Sequence, residues 1–189
     1  MKIGLFTEGQ FEEKTLNIIA RKIVPTGTGI ESRVLKRGDL FNWQKVCSYI
    51  ENDIMKQHPD ISKIIACVDS ECTPEKEIQT EARRIEKKLT SKTNLPVSYV
   101  VVVHALEGWL LSDAESIKGY LGSRADIEIP SSASLECKPK DKMKEIFGRA
   151  DKQFIHTRDN PRIAETFNVG IARDNNKSFA SFCEKVKDP

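Results

Sequence analysis

Acidic residues directly follow three of the apolar runs that the sequence predicts to be β-strands. Asp69 and Glu71 come after the run at residues 64–68. Glu8 follows the first apolar run of the chain, and Glu107 follows a later run rich in Val. Carboxylates held close together repel one another unless a cation or protons compensate their charge, and Mg²⁺ prefers oxygen ligands such as carboxylates. The pattern therefore predicts a site for Mg²⁺ or Mn²⁺, with ordinary surface charge as the alternative.

Neighbouring residues extend or flank this predicted site. Asp113 lies shortly after Glu107 and is a further candidate metal ligand. Glu12 and Glu13 fall in the predicted opening turn of the first helix, where acids are favourable, and we interpret both as solvated. His104 ends the Val-rich run and is interpreted as a core histidine, with a role as a base left open. The predicted metal ligands are therefore the acids at the strand ends together with Asp113.

Strand and helix patterns alternate along residues 1–121, which is typical of an α/β domain with a mainly parallel sheet flanked by helices. The predicted strands are residues 2–7, 33–35, 63–68 and 96–103, and the predicted helices are residues 11–24, 42–57, 73–89 and 106–111. The third strand is apolar throughout, as expected for a strand covered on both faces. Ligands of an open α/β sheet bind beyond the carboxyl ends of its strands, which is where the acids lie.

Residues 122–189 form a predicted helical extension. Residues 122–137 are polar and irregular, and helical patterns follow at residues 140–148, 162–172 and 178–186. A segment of this size supports only a marginal core of its own. We therefore expect it to pack on the α/β core of residues 1–121 and to complete a single globular unit.

Composition limits the classes of protein that the chain can represent. The 189 residues carry a formal net charge of only +2, so bulk charge does not indicate nucleic-acid binding. The five cysteines form no CxxC pair, which favours reduced structural thiols in a cytoplasmic protein. The chain opens on a strand-like run without a signal-peptide pattern. No apolar stretch approaches the roughly 20 residues of a membrane helix, so no membrane partner is expected.

Two clusters of basic residues are candidate contacts to phosphate groups. One lies in the predicted helix that follows the acidic pair, and the other lies on both sides of Pro139. The candidate nucleic-acid-binding residues are Arg83, Arg84, Lys87, Lys138 and Lys140. A solvated helix face is the alternative for both clusters.

Several short motifs resemble those of the Toprim domain, which occurs in topoisomerases, bacterial primases and nucleases of the overcoming-lysogenisation-defect (OLD) family. A glutamate–glycine step, Glu8-Gly9, follows the first strand, and the acidic pair Asp69-Ser70-Glu71 follows a later one. The segment at residues 107–113, the Lys138-Pro139-Lys140 step and the Ser-Phe pattern at residues 178–182 resemble a prokaryotic family of Toprim-like proteins. The likeness spans most of the chain. The departure is Glu71, because the Toprim pair is usually Asp-x-Asp.

The resemblance implies Mg²⁺-dependent phosphoryl transfer on nucleic acid, and hence a nuclease that cleaves DNA or RNA. The implied metal ligands are Glu8, Asp69, Glu71, Glu107 and Asp113. Lys138 is expected to assist the scissile phosphate as a catalytic cation beside these acids, and Glu8 is an alternative general base. A role in defence against phage is implied by the same resemblance.

A non-catalytic role is the competing interpretation. The chain would then be a Toprim-like subunit that binds nucleic acid or a partner ATPase. OLD-family nucleases carry an ATPase on the same chain, whereas this sequence contains no P-loop. A separately encoded ATPase is therefore an expected partner, and assembly into a homo-oligomer stays open. Phosphoryl transfer to a small molecule is the least favoured alternative, because no motif positions a nucleobase.

Overall fold

A four-stranded parallel sheet forms the centre of the computed structural model, which describes residues 1–122 and 127–187. The strands are β1 (Lys2–Thr7), β2 (Gly29–Val34), β3 (Ile61–Asp69) and β4 (Val97–Val102), in the order β2-β1-β3-β4. Helices cover both faces of the sheet. This arrangement confirms the predicted α/β class with its parallel sheet.

Eleven α-helices and one 3-10 helix, at Ser131–Leu135, are present in the described residues. Those in the first part of the chain are α1 (Gln10–Arg21), α2 (Arg37–Leu40), α3 (Trp43–Tyr49), α4 (Met55–Gln57), α5 (Glu75–Thr93), α6 (Leu106–Leu111) and α7 (Ala114–Leu121). Those in the C-terminal part are α8 (Pro139–Arg149), α9 (His156–Thr166), α10 (Val169–Asn175) and α11 (Lys177–Lys187). A π-helical turn at Ile50–Ile54 joins α3 to α4, so the helix predicted at 42–57 is present but irregular.

Two hydrophobic clusters cover the two faces of the sheet. On one face, α3 and α5 contribute buried residues such as Val46, Ile85 and Leu89. On the other face, α1 packs with α6 and with the C-terminal helices, whose buried aromatic residues include Phe147 and Phe179. Buried residues of the C-terminal helices and of the sheet therefore belong to one hydrophobic cluster.

The C-terminal helices differ from their predicted bounds. The single helix expected at residues 162–172 is two helices, α9 and α10. Asn168 separates them, because its side chain accepts hydrogen bonds from the backbone N–H groups of Gly170 and Ile171 and so caps α10. Pro161 lies inside α9, whereas the sequence pattern placed it before the helix. Among the described residues, no helix combines the length and apolar character needed to cross a membrane.

Ser178 joins the last helix to the core through buried hydrogen bonds. Its hydroxyl accepts from Trp109 Nε1 at 2.8 Å and donates to Asn176 Oδ1 at 2.9 Å. We expect Ser178→Ala to lower the free energy of unfolding by about 1–3 kcal/mol, because the buried indole N–H of Trp109 loses its partner. Urea unfolding measures this loss. Ser181→Ala on the same helix is the control, and an equal loss in both variants would contradict the assignment.

Candidate functional site

The acids that follow β1 and β3 lie at the point where the strand order reverses. β1 pairs with β2 on one side and with β3 on the other, so the connections after β1 and β3 run away from each other and leave a crevice. Glu8 follows β1, and Asp69 is the last residue of β3. The parallel sheet therefore brings these two residues, distant in sequence, to one position at its carboxyl edge.

Arg37 ties the ends of these strands together. Glu8 Oε1 accepts a hydrogen bond from the Asp69 backbone N–H at 3.0 Å. The guanidinium of Arg37 lies 3.2 Å from the same oxygen and also donates to the Asp69 carbonyl. Arg37 was not among the predicted site residues. The feature that could have identified Arg37 in the sequence is its position just after β2, which pairs with β1 in the sheet.

Glu12 is part of the same site, so its interpretation as a solvated helix residue is wrong. It lies in the first turn of α1, and burial raises the pKa of its carboxyl group. Its carboxylate folds back over Gly9, where an added Cβ would lie 2.5 Å from Glu12 Oε2. Because the end of the Glu12 side chain is flexible and can move aside, this contact alone does not require glycine at position 9. A small cavity here is lined by Thr7, Glu8, Glu12, Leu16, Cys67, Asp69, Val102 and Leu106.

Burial and mutual repulsion raise the pKa values of the carboxyl groups in this cavity. The pKa of Asp69 is raised well above its ordinary value, first by burial and then by the charges of Glu12, Glu8 and Glu107. Burial also raises the pKa of Glu8, against the lowering effect of Arg37. The site therefore concentrates more negative charge than its neighbouring cations neutralise.

Glu107 is the most deeply buried acid of the group. It lies in the first turn of α6, after β4, with a relative exposure of 1%. Asn160 of α9 donates to its Oε1 at 2.9 Å. Glu107 Oε2 and Asn160 Oδ1 have no hydrogen-bond partner among the described residues. A buried oxygen without a donor is costly, and a cation bound to it would reduce that cost.

Two basic residues on the C-terminal helices interact electrostatically with the acids. Lys140 of α8 lowers the pKa values of both Glu12 and Asp69 by its charge. His156 of α9 lowers the pKa of Glu12, and its ring contacts Phe11 edge to face at 5.4 Å between centroids. Lys138 is exposed at the residue that precedes α8. The structure thus brings Lys140 of the predicted basic cluster to the acids.

Glu71 and Asp113 do not join the buried carboxylates. Glu71 lies in the turn after β3 with φ 48°, and its side chain is 68% exposed, 4.0 Å from Arg37. Asp113 caps α7, where it accepts hydrogen bonds from Ser116 and, at 2.7 Å, from the backbone N–H of Asn168. These bonds engage both carboxylate oxygens. The structure therefore gives Asp113 a capping role in place of the predicted metal ligation.

The basic residues of α5 lie in the other helical layer, away from α1, α8 and α9. Arg84 forms an ion pair with Glu81. Arg83 lines a cleft between α5 and α11 together with Lys177 and Lys185. Lys87 is exposed on the same helix. The five predicted nucleic-acid-binding residues thus belong to two separate surfaces, of which only the α8 surface adjoins the acids.

A cluster of soft ligands lies at the same edge of the sheet. Donor atoms of Cys72, His104 and Cys137 all lie within 4.8 Å of one another, the only such set of three or more His, Cys, Asp or Glu donors in the described chain. Cys72 and Cys137 form a disulfide, which differs from the expectation of reduced thiols. Cys47, Cys67 and Cys183 are free and buried. No three carboxylates of the described residues lie within that distance of one another. An ion shared by the acids therefore requires at least one flexible acid side chain to rotate.

Comparison with known proteins gives one match. A protein-family model described as "Domain of unknown function (DUF4276)" matches residues 7–187. Neither the curated proteins nor the solved structures contain a significant match to the chain. The match includes every residue of the carboxylate site.

Proposed function

We propose that this chain, which belongs to the DUF4276 family, is a divalent-metal-dependent nuclease that hydrolyses phosphodiester bonds in DNA or RNA. One observation carries the proposal: Glu8, Glu12 and Asp69 line one cavity, the charge of Glu107 raises the pKa of Asp69, and a buried oxygen of Glu107 lacks a partner among the described residues. Such a concentration of carboxylates disfavours the folded state unless a ligand compensates it. Carboxyl groups whose pKa values are strongly shifted by burial and by neighbouring charges are typical of functional sites.

The chemistry of the residues present fits a hard divalent cation, and one acid side chain must rotate to bring the carboxylates within reach of a single ion. The candidate ligands are carboxylate oxygens, which Mg²⁺ and Mn²⁺ prefer, and Glu107 Oε2 is free to bind. Asp69, Glu12 and Glu107 would hold the ion, with Glu8 at the rim where Arg37 engages it. Mg²⁺ bound there would stabilise charge on the scissile phosphate and lower the pKa of an attacking water. Glu71 is exposed beside Arg37. It would bind the ion only if its turn moved towards Asp69.

The chain supplies its own groups for proton transfer and phosphate binding. Burial raises the pKa of Glu12, so its carboxylate is a candidate proton acceptor if Asp69 and Glu107 alone hold the ion, because a cation bound to Glu12 would displace protons from it. Lys140, whose charge acts on Asp69 and Glu12, and Arg37, which contacts Glu8, are the cations proposed to contact a phosphate oxygen. Lys138, two residues earlier, extends the same positive surface. Phosphate contacts of this kind give affinity without sequence preference.

The Toprim resemblance supports the same reaction class. It relates the acid after β1 and the acid at the end of β3 to a fold whose members act on nucleic acid. The proposal also places the protein inside the cell and gives it a separately encoded ATPase as partner, as the resemblance to OLD-family nucleases implies. Fold likeness alone does not fix activity, so the carboxylate site carries the argument.

Glu107→Gln tests the proposal. The amide keeps the hydrogen bond from Asn160 Nδ2 to its carbonyl oxygen but removes the charge at the unpartnered position. Plasmid, single-stranded DNA and RNA would be incubated with Mg²⁺ or Mn²⁺, and we expect cleavage to fall at least about 100-fold in the variant. Glu115→Gln, an exposed acid on α7 paired with Lys118, is the matched control and should cleave as the wild type does.

The outcomes separate the competing interpretations. Cleavage by the wild type that survives in Glu107→Gln would overturn the assignment of the site. Tight Mg²⁺ binding in calorimetry without cleavage of any substrate would favour the non-catalytic subunit. If Mg²⁺ does not bind and no substrate is cleaved, the acids are ordinary surface charge and the nuclease proposal is wrong.

A further inference from the structure

Three segments from different parts of the chain bring Cys72, His104 and Cys137 together beside the carboxylate site. Cys72 lies in the turn after β3, His104 lies between β4 and α6, and Cys137 lies just before α8. Their donor atoms lie within 4.8 Å of one another. None of the three belongs to the carboxylate set, and the proposed nuclease mechanism does not use them.

The backbone holds this cluster in an uncommon conformation. Cys72 and His104 have φ values of 66° and 64°, in the left-handed region that non-glycine residues seldom occupy. Their turns are bonded to each other: the Glu71 N–H donates to the His104 carbonyl at 2.9 Å, and the His104 N–H donates to Ser70 Oγ at 2.7 Å. Strained residues that neighbouring structure holds in place concentrate at functional sites.

The ligand chemistry of the cluster is soft. Two thiolates and an imidazole suit Zn²⁺, with Zn–S bonds of about 2.3 Å and Zn–N bonds of about 2.0–2.1 Å. Donors around one such ion lie roughly 3.5–3.8 Å apart. The three donor atoms already lie within 4.8 Å of one another, so small side-chain rotations reach this spacing once the disulfide is reduced. His104 Nδ1 is buried and has no hydrogen-bond partner among the described residues. A metal bond is one way to satisfy a buried imidazole nitrogen.

We propose that Cys72, Cys137 and His104 form a second metal site, selective for Zn²⁺ or a similar soft divalent cation, in the reduced protein. His104 Nδ1 is the nitrogen that we expect to carry the bond. The fourth position of a tetrahedral ion is left for water or another ligand. This site is chemically distinct from the carboxylate site, whose oxygens suit Mg²⁺.

The disulfide and the metal site are alternative states of the same two sulfurs. A dithiol reductant supplies two electrons and two protons to the S–S bond and is itself oxidised to a disulfide. The two thiols of Cys72 and Cys137 then lose their protons to solvent as the cation binds the thiolates. Both cysteines are exposed, so a reductant can reach them. In either state, the cluster links the turn after Asp69 to the start of α8, which carries Lys140.

Cobalt titration of the full-length protein tests the proposal. The protein would be reduced with dithiothreitol, desalted without oxygen and titrated with Co²⁺, whose thiolate charge-transfer absorption reports sulfur ligation. We expect one equivalent per chain, displaced by Zn²⁺. Cys137→Ser should lose the absorption, and His104→Asn should weaken binding at least about tenfold. Asn is the replacement of choice because it tolerates a positive φ.

Matched measurements make the result decisive. Cys47→Ser, which alters a buried free cysteine in the other helical layer, should bind Co²⁺ as the wild type does. Glu107→Gln should also keep the cobalt spectrum, so failure of the nuclease proposal would leave this one standing. Circular dichroism would confirm that each variant is folded. The proposal is overturned if the reduced wild type shows no thiolate band, or if Cys137→Ser retains it.

Discussion

Replacing Asp69 with Asn is expected to abolish metal-dependent cleavage and, at the same time, to make the protein more stable. Asp69 ends β3 among other acids, and burial together with the charges of Glu12, Glu8 and Glu107 raises its pKa well above the ordinary value. The ionised side chain therefore disfavours the folded state at neutral pH. Asn has nearly the same shape but no charge, so the substitution removes the repulsion.

Both effects have expected sizes. We expect the cleavage rate to fall at least about 100-fold, as on loss of a preorganised electrostatic group in other active sites. The free energy of unfolding should rise by about 1–2 kcal/mol, in the range typical of relieving a strained functional site. For a chain of this length, that corresponds to a rise of about 2–8 °C in Tm. Calorimetry in the absence of divalent ions measures the stability, and the plasmid assay measures the rate.

Asp141→Asn is the matched control. Asp141 is an exposed acid of α8, and its hydrogen bond to Lys144 lowers its pKa. Its replacement should leave cleavage unchanged and should not raise stability, because its charge is favourable in the folded state. A loss of stability in Asp69→Asn, with or without activity, would contradict the picture of a repulsive carboxylate cluster.

The stabilisation that Mg²⁺ confers is expected to grow with pH. Asp69, Glu8 and Glu12 all have pKa values above their ordinary ones. At a pH between the ordinary pKa and the raised pKa of each group, the folded state therefore binds more protons than the unfolded chain. Their contribution to stability therefore falls as pH rises through that window and stays low above the folded-state pKa values. Mg²⁺ competes with protons for the same oxygens and so stabilises the ionised site more.

Thermal unfolding with and without Mg²⁺ at pH 5.5 and pH 8 checks this expectation. At pH 8 and a Mg²⁺ concentration of about 100 times the dissociation constant, the stabilisation should be about 2.7 kcal/mol, or about 5–10 °C in Tm. The shift should be smaller at pH 5.5 and smaller in Asp69→Asn at either pH. Equal shifts at both pH values would show that Mg²⁺ does not bind at the raised-pKa carboxylates.

Local patterns in the sequence were enough to predict the fold class and the position of three acids at strand ends. Continuous apolar runs mark strands that are buried on both faces, and the residue after each run falls at the carboxyl edge of the sheet. Glu8, Asp69 and Glu107 were predicted in this way, and the structure places all three at that edge. The ends of β2 and of the C-terminal helices were less well predicted, because their limits depend on capping and packing.

Contacts between distant segments decided the composition of the site. Glu12 enters it because α1 packs so that the first turn faces the end of β3, and Arg37 enters because β2 is the neighbour of β1. Asn160 and Lys140 arrive on helices that pack on the core. No local pattern encodes these approaches, since each depends on how helices from separate parts of the chain are packed.

Side-chain direction is the last property that the tertiary structure alone decided. The left-handed turn at Glu71 leaves its carboxylate exposed. The sequence pattern predicted that it would lie beside Asp69, because the two acids are only two residues apart. The same edge of the sheet joins Cys72, His104 and Cys137, whose spacing matches no common metal motif. The sequence by itself determined which acids end the strands, because strand ends follow from local hydrophobic pattern. Which of them meet, and what joins them, depended on chain packing over long sequence separations.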